Sequence, residues 1–322
     1  MQPPSLSSIL LAAAVAGCAP VARRANLVYM TVATQVGPGE VHVELHRSFI
    51  EAYKNRVTIR TSFTVDAASK SPNPDLVDGD LHFAGRAPQI GLRVVGEIKN
   101  ASSVDSAVAA VQRAEGTNRP LELVGAWRLW PEHALGMKQE QGRPVSPVTN
   151  PNPDHVFEIH PITRLGRIDL RATLRPVDGY KPGGAEPTFD RYEDARCTLK
   201  LSPTTVTLII PTGLYNDVHF LMEITGTRQV VVGDGRFVTA SALDLEGDLL
   251  VERLRMVFVK GTPPEQAVRS LKPGARLHVW GLPRVDLAEV SRRVRESATN
   301  PAALTGRMPY EVIVLGVYPA DR

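Results

Sequence analysis

The sequence contains only two cysteines, Cys18 and Cys197, among its 322 residues. A framework of several disulfides is therefore excluded, and the one intramolecular bridge that the chain allows joins these two residues. Aromatic residues make up only 6% of the chain, and no long run of Lys or Arg accompanies the net charge of +3. Tight electrostatic binding of nucleic acid needs clustered basic residues, so the sequence carries no strong nucleic-acid charge pattern.

Long apolar runs are also missing, apart from one near the N-terminus at residues 9–16. This run is too short to span a bilayer, but it suits the hydrophobic region of a signal peptide. It ends in Val15-Ala16-Gly17-Cys18, which resembles the lipobox of bacterial lipoproteins. The resemblance implies that residues 1–17 are a signal peptide, that Cys18 carries the lipid, and that residues 18–26 form a tether.

The first eight residues depart from this pattern, because they contain no Lys or Arg. A disordered apolar N-terminus stays open as an alternative, and so does a Cys18–Cys197 disulfide in a chain without lipid. With the lipid, Cys18 anchors the protein to a membrane, and Ala19 implies the outer membrane of the cell envelope. Without the anchor, we expect a periplasmic or secreted protein. Cys197 lies in an alternating strand pattern, which predicts a buried and inert thiol.

The rest of the chain indicates many short strands, since 26 prolines and 25 glycines are spread along it. Apolar periodicity predicts helices at Ser102–Ala114 and Leu287–Glu296 between the strands. Short strands at this spacing are typical of barrels and sandwiches. We therefore predict a mainly β protein with few short helices. The predicted parts are a first β domain at 27–170, a proline-rich linker at 171–195 and a second β-rich barrel or sandwich at 196–322.

Four short segments of the predicted first domain carry most of its acids and histidines. Side chains alternate between the two faces of a strand, so residues two apart in these segments share a face. Carboxylates and imidazoles that meet on neighbouring strands are the ligands that Zn²⁺, Mn²⁺ and Mg²⁺ use in proteins. The predicted metal ligands are Asp78, Asp80, His82, Glu97, Glu132 and Glu158.

A divalent metal in such a cluster lowers the pKa of its bound water and polarises an ester or phosphate. We expect His133 and His160 to serve as further ligands or as general acid and base. Arg86 or Arg128 could hold an anionic group of the substrate with two hydrogen bonds. A structural interpretation stays open for each segment: a turn at 78–80, a solvated strand end at 132–133 and the wet face of a strand at 158–160.

No motif with fixed catalytic spacing supports the hydrolytic interpretation, since the sequence has no His-Glu-x-x-His, no Gly-x-Ser-x-Gly and no phosphate loop. The segments Asp78-Gly-Asp-Leu-His82, Glu97-Ile98, the Trp-Pro-Glu-His turn ending at His133, and Glu158-Ile-His160-Pro161 resemble a group of uncharacterised bacterial secreted proteins. The resemblance covers residues 78–161 and implies an OB-like barrel without an established activity. The arginine and Asp-x-Pro-Glu pattern of thermonuclease-type barrels is absent, so the analogy to nucleases rests on fold alone.

The function predicted from these features is that of an exported lipoprotein with a metal-dependent, nuclease-like phosphoester hydrolase on an OB-like barrel. The alternative is a non-catalytic envelope module that binds a polymer, a ligand or a partner protein. A purely structural envelope lipoprotein is the third interpretation.

Overall fold

The computed structural model of the protein describes residues 34–37, 39–134, 145–226 and 229–319. The predicted signal peptide, Cys18 and the tether lie outside these residues. The strands are β1 (Thr34–Gly37), β2 (Glu40–His46), β3 (Thr58–Ala68), β4 (Leu81–Arg86), β5 (Val94–Ile98), β6 (Leu121–Leu129), β7 (Phe157–Leu165), β8 (Ile168–Asp169), β9 (Arg196–Leu201), β10 (Thr205–Pro211), β11 (Val218–Ile224), β12 (Val230–Val232), β13 (Gly235–Leu243), β14 (Leu249–Val259), β15 (Arg276–Val285), β16 (Thr305–Arg307) and β17 (Tyr310–Val317). The helices are α1 (Arg47–Tyr53), α2 (Asp105–Ala114), α3 (Ala185–Asp194), α4 (Pro263–Val268) and α5 (Leu287–Glu296).

Five strands close the first barrel in the order β3-β4-β5-β7-β6 and back to β3. Every pair is antiparallel except β5 with β7, which run parallel. Helix α2 connects β5 to β6, and its buried face of Ala107, Val111 and Ala114 packs on the core. A small five-stranded Greek-key barrel is the architecture of the OB fold.

The second barrel repeats this topology with β11, β13, β14, β17 and β15. The parallel pair is again the third strand with the fifth, here β14 with β17. Helix α4 again lies in the connection between the third strand and the fourth. The prediction of a mainly β protein with an OB-like barrel and a second β-rich unit is confirmed, and that second unit is a barrel.

A third sheet has the order β1-β2-β10-β9-β16 and is antiparallel throughout. In β2, Val41, Val43 and Leu45 are buried and alternate with more exposed residues, as one covered sheet face requires. The sheet therefore joins residues 40–46 of the predicted first domain to residues 205–211 of the predicted second one.

The predicted linker 171–195 is partly helical, because it contains α3. The Pro182-Gly-Gly run and Pro187 suggested an irregular segment. Pro187 lies in the first turn of α3, however, where a proline removes no intrahelical hydrogen bond. In β9, Cys197 is buried as predicted, and burial raises the pKa of its thiol to about 12.

Reciprocal arginine contacts join the two barrels. Arg128 of β6 donates from Nε to the carbonyl oxygen of Pro283 at 2.9 Å. Arg284 of β15 donates from Nη1 to the carbonyl oxygen of Trp127 at 3.0 Å. Both arginines are buried on the fourth strand of their barrel, and each donates to the residue that precedes the other. Equivalent arginines of the two barrels thus make equivalent contacts across the junction in both directions.

Each of these arginines also pairs with a glutamate on the fifth strand of its own barrel. Arg128 lies opposite Glu158 on β7, and Arg284 lies opposite Glu311 on β17. Both ion pairs measure 2.7 Å between nitrogen and oxygen. The two pairs occupy the same place in the same topology. They can therefore be used to align equivalent positions of the two barrels residue by residue.

Candidate functional site

A small polar cavity of about 140 Å³ lies where the first barrel meets the second. Ligand pockets for organic molecules usually exceed about 300 Å³, whereas a water takes roughly 30 Å³, so the cavity suits an ion with a few waters. The wall from the first barrel and its loops consists of Asn73, Asp78, Asp80, His82, Glu97, Lys99, His133, Asn152 and His160. The opposite wall consists of Tyr180, Asn216, Asp217, Trp280 and Leu282.

Three neighbouring strands of the first barrel bring the acids and histidines together. His82 on β4 lies directly opposite Glu97 on β5, so both side chains leave the same face. Strand β7 runs parallel to β5 and carries Glu158 and His160 two residues apart on one face. Asp80 lies in the turn that leads into β4. The faces predicted from strand alternation are therefore those that line the cavity.

Asp80, Glu97 and His160 form a compact buried group. Each offers one ligand atom, and these atoms all lie within 4.8 Å of one another. Nδ1 of His160 lies 2.9 Å from Oε2 of Glu97, and Nε2 lies 3.3 Å from Oδ2 of Asp80. Each ring nitrogen thus lies at ion-pair distance from a carboxylate oxygen, but neither makes an aligned hydrogen bond among the described residues, although the side chain is buried. Buried polar atoms are normally hydrogen-bonded, so this histidine is suited to a cation ligand.

The electrostatics of this group follow from its burial. Burial opposes ionisation of Glu97, but the charges of His160 and His82 outweigh it and lower the pKa of the carboxyl group. Burial likewise disfavours a charged His160, yet Glu97 and the neighbouring acids raise the pKa of the imidazole well above its usual value. The acids thus favour a positive charge at the position of His160, which a proton or a metal ion can supply.

Lys99, in the turn directly after β5, is fully buried beside this group. Its ammonium donates to Oδ1 of Asp80 at 2.9 Å and to the carbonyl oxygen of Asp78 at 2.8 Å. It also lies 3.8 Å from the ring centre of Trp280 of the second barrel. Asp80, Glu97 and Glu158 therefore face two fixed cations, Lys99 and Arg128, which leaves the cluster with excess negative charge when the histidines are neutral.

A second group of ligand atoms within 4.8 Å consists of His133, His155 and Glu158. Oε1 of Glu158 lies 2.8 Å from Nε2 of His155, and the rings of His133 and His155 stack with centres 4.8 Å apart. Nη1 of Arg128 donates to Oε2 of Glu158 at 2.7 Å. Oε2 of Glu158 also lies 3.5 Å from Nδ1 of His160, so Glu158 contacts both groups.

The second barrel has apolar residues at the positions that correspond to the polar ones. Taking Glu311 as the counterpart of Glu158, the strand registers place Phe237, Val257 and Ile313 where the first barrel has His82, Glu97 and His160. The three apolar residues belong to a compact core cluster that includes Val57 and Ala126 of the first barrel. The barrel contact can thus be built from apolar side chains, and polar groups cost free energy when buried.

The structure unites most of the predicted site residues but not all. Asp78, Asp80, His82, Glu97, His133 and His160 line the cavity, and Glu158 adjoins it through His160. Glu132 is not among the lining residues and contacts His133 at the rim, with 3.0 Å between Oε2 and Nε2.

The two arginines proposed as anion ligands occupy other places. Arg86 lies away from the cavity and forms a two-pronged ion pair with Asp66 of β3, with its shortest distance at 2.7 Å. Arg128 is buried and fully engaged by Glu158 and two backbone carbonyl groups. Neither guanidinium is therefore presented to a substrate in the cavity.

Sequence reasoning missed His155, Lys99 and the wall from the second barrel. His155 stands next to Asp154 just before a strand, a position that suggests a solvated loop. Tyr180 and Trp280 both donate to Oδ2 of Asp217, at 2.7 and 2.8 Å. These three residues come from distant parts of the chain, so no local pattern connects them with the acids of the first barrel.

Neither a family model nor a curated protein sequence matches the chain. Among solved structures, the chain has a likeness to a deletion mutant of the single-stranded DNA-binding protein from Thermus aquaticus. The two are 10% identical in sequence, the match covers 83% of this chain and 97% of that chain, and the TM-score is 0.21. A similarity at this level carries no argument about function.

Proposed function

We propose that the protein binds a divalent metal ion in the polar cavity between its two barrels. Asp80, Glu97 and His160 are the proposed ligands, and Zn²⁺ or Mn²⁺ is the expected ion because both accept mixed nitrogen and oxygen ligands. The observation that carries the proposal is the grouping of three buried ligand atoms within 4.8 Å, in which both ring nitrogens of His160 face carboxylate oxygens without an aligned hydrogen bond among the described residues.

The contrast between the barrels supports this proposal. At the corresponding place the second barrel packs Phe237, Val257 and Ile313 into an apolar cluster, so burying acids and histidines is not a requirement of the fold. Replacing buried ionic groups with well-packed apolar ones is often neutral or stabilising. A role for the polar groups beyond stability is the simplest reason for their presence.

Metal content tests the proposal. A chain carrying Cys18→Ser is purified without chelator, and its bound metal is measured by elemental analysis. We expect at least one equivalent of metal per chain, and we expect Glu97→Gln and His160→Ala to lose it. His42→Ala is the matched control, because His42 pairs with Glu40 on the exterior in a similar acid–imidazole contact. Absence of stoichiometric metal from the parent chain would overturn the proposal.

A second candidate function is metal-dependent phosphoester hydrolysis. One observation favours it: His82, His133 and Tyr180 line the same cavity as the proposed ligands, so proton-transfer groups would lie beside an ion held there, and such an ion would supply an activated water. The test uses bis(p-nitrophenyl) phosphate and single-stranded DNA with Zn²⁺, Mn²⁺ or Mg²⁺. Turnover that disappears in Glu97→Gln supports the hydrolase, whereas tight metal binding without turnover favours a non-catalytic binding module in the cell envelope.

We also propose that the protein is exported and anchored to the membrane through a lipid on Cys18. Val15-Ala16-Gly17-Cys18 carries this part of the proposal. Among the described residues, none of the helices has the length and apolar character to cross a bilayer. Metabolic labelling with a radioactive fatty acid should mark the parent chain and not Cys18→Ser, and equal labelling or none in both would contradict the anchor.

A further inference from the structure

We propose that His133, His155 and Glu158 hold a second divalent metal ion, and that Glu158 is the carboxylate shared by both ions. The inference rests on the proposed function, since its first ion is the one assigned to Asp80, Glu97 and His160. Together the two groups would form a two-metal centre at the junction of the barrels.

The second group has the composition and compactness of a metal site. Its two imidazole nitrogens and one carboxylate oxygen lie within 4.8 Å of one another. His155 and Glu158 are buried, whereas the side chain of His133 is 31% exposed at the rim of the cavity. Two histidines with one carboxylate are a common ligand set for Zn²⁺ that keeps a position open.

The backbone fixes which nitrogen of His155 faces Glu158 as a ligand. Nδ1 lies 2.6 Å from the carbonyl oxygen of Pro153, and a carbonyl oxygen can only accept, so Nδ1 carries a proton. Nε2 then faces Oε1 of Glu158 across 2.8 Å, and either a proton or a metal ion can join these two atoms. Metal-binding histidines typically donate their other N–H to a carbonyl or carboxylate in this way.

Glu158 connects the two groups through its two oxygen atoms. Oε1 faces His155, and Oε2 lies 3.5 Å from Nδ1 of His160 in the first group. Two-metal sites hold their ions about 3.5–4 Å apart and use shared ligands for this purpose. Arg128 keeps the carboxylate in position, because its guanidinium is itself fixed by the carbonyl oxygens of Pro283 and Asn216.

Glu132 supplies an independent indication. Its Oε2 atom is buried without a hydrogen-bond partner among the described residues, and it lies 3.0 Å from Nε2 of His133. A buried carboxylate oxygen in contact with a histidine of the group is suited to support a cation there. The group therefore has three ligand atoms within 4.8 Å of one another, and Glu132 lies next to it at His133.

Manganese binding to the full chain tests the inference. The number of Mn²⁺ ions bound per chain can be measured, and the ion is paramagnetic, so coupling between two neighbouring ions can be detected. We expect two Mn²⁺ per chain and an exchange-coupled signal in electron paramagnetic resonance. We expect His133→Ala, a change at a partly exposed side chain, to keep one Mn²⁺ and to show only an uncoupled signal. His155→Gln should behave in the same way, and His42→Ala should keep both ions and the coupled signal.

The outcomes separate the two proposals. One Mn²⁺ in both the parent chain and His133→Ala would overturn the second ion and leave the proposed function standing. Two ions without a coupled signal, or two ions unchanged by His133→Ala, would also overturn it, because the second ion would then lie elsewhere. No bound Mn²⁺ or Zn²⁺ in the parent chain would overturn the proposed function itself.

Discussion

Lys99 is one of two buried cations, with Arg128, that pair with acids of the buried cluster. Its side chain is fully buried, pairs with Asp80 and stacks on Trp280, so it neutralises one carboxylate without access to water. Breaking a buried ion pair by removing one partner costs about 3–5 kcal/mol, since the remaining charge is left unpaired. A bound metal would take over part of this neutralisation.

We therefore predict that Lys99→Met lowers the free energy of unfolding by about 3–5 kcal/mol in the presence of a chelator. The loss should be smaller with saturating Zn²⁺, because the ion compensates Asp80. Urea unfolding of parent and variant in both conditions measures the difference. Lys260→Met is the control, as its ammonium is exposed and its only hydrogen bond that the structure describes is to the Gly233 carbonyl group. An equal loss with and without Zn²⁺ would contradict a metal beside Asp80.

Glu265 gives a pH dependence that is independent of the metal cluster. Burial opposes its ionisation, but hydrogen bonds from Arg269, the Gly261 amide and Arg236 lower the pKa of the carboxyl group to about 2. Because the folded pKa lies below the ordinary value of 4.5, this group stabilises the fold above pH 4.5. The stabilisation is lost as the pH falls towards 2.

Glu265→Gln should lower the free energy of unfolding at pH 7 by about 1–3 kcal/mol, since the charge-assisted hydrogen bonds are lost. The difference between parent and variant should shrink at pH 3. Urea unfolding at the two pH values measures it, with Glu296→Gln as the control because Glu296 pairs with Arg292 on the surface. A difference that stays constant with pH would show that Glu265 is not held ionised in the fold.

At the residue scale, the sequence alone was enough to group most of the acids and histidines of the first barrel, but it missed His155. Asp80, His82, Glu97 and His160 share faces because strand alternation is local and readable. Trp280, Asp217 and Lys99 could not be found, since their proximity depends on how the second barrel docks. The environment of Arg86 was equally out of reach, because Asp66 lies on a neighbouring strand in a register that the sequence does not reveal.

Strand β6 carries a glycine where the barrel brings it closest to β7. A Cβ atom at Gly125 would lie 2.6 Å from the carbonyl oxygen of Pro161 and 2.6 Å from Cγ2 of Ile159. The strand register is irregular at this point, as it is at Gly281 in the corresponding place of the second barrel. Close approach of backbones at a bulge requires glycine here.

Gly125→Ala should therefore destabilise the fold by about 1–3 kcal/mol through overpacking. It should also weaken metal binding, because β7 carries Glu158 and His160 on either side of Ile159. Thermal unfolding and a Zn²⁺ titration measure the two effects. Gly233→Ala is the matched control, since a Cβ there meets nothing within 4 Å. Unchanged Zn²⁺ affinity in Gly125→Ala would contradict the expected dependence of the metal site on the geometry of β7.

At the scale of the elements, a helix with a regular apolar periodicity could be predicted from the sequence. A helix that depends on packing against the core could not. The helix predicted at Leu287–Glu296 is confirmed as α5, where Asp286 caps the first turn by accepting from the amides of Ala288 and Glu289. Helix α3 was missed because proline and glycine dominate the residues before it. Its buried Phe189 and Tyr192 pack into the main core, a contact that stabilises a short helix more than local propensity does.

At the scale of the whole molecule, the two barrels form one body with a shared interior. Arg284 is buried in the contact and donates to the carbonyl oxygens of Val57, Trp127 and Arg56, all in the first barrel or at its entry. The sheet that pairs β2 with β10 adds a second connection. The number of barrels could be estimated from strand count, but this docking could not, because it depends on a few buried polar contacts.

We predict that the protein unfolds in a single transition, and that Arg284→Met lowers its free energy of unfolding by about 3–5 kcal/mol, because it removes an ion pair with Glu311 and hydrogen bonds to three carbonyl groups and leaves Arg255 as the partner of Glu311. Tryptophan fluorescence and circular dichroism in urea measure the transitions. Arg276→Met on the same strand is the control, since its pair with Glu223 is exposed. Two separate transitions in the parent chain would show that the barrels are independent.

The cavity between the barrels is the proposed site of a divalent metal ion. Anomalous X-ray diffraction from crystals grown with Zn²⁺, recorded at the zinc absorption edge, would locate that ion. We expect an anomalous peak at about 2.0–2.2 Å from ligand atoms of Asp80, Glu97 and His160. A cavity without a peak, with Zn²⁺ found only at exterior histidines such as His42, would contradict the proposal.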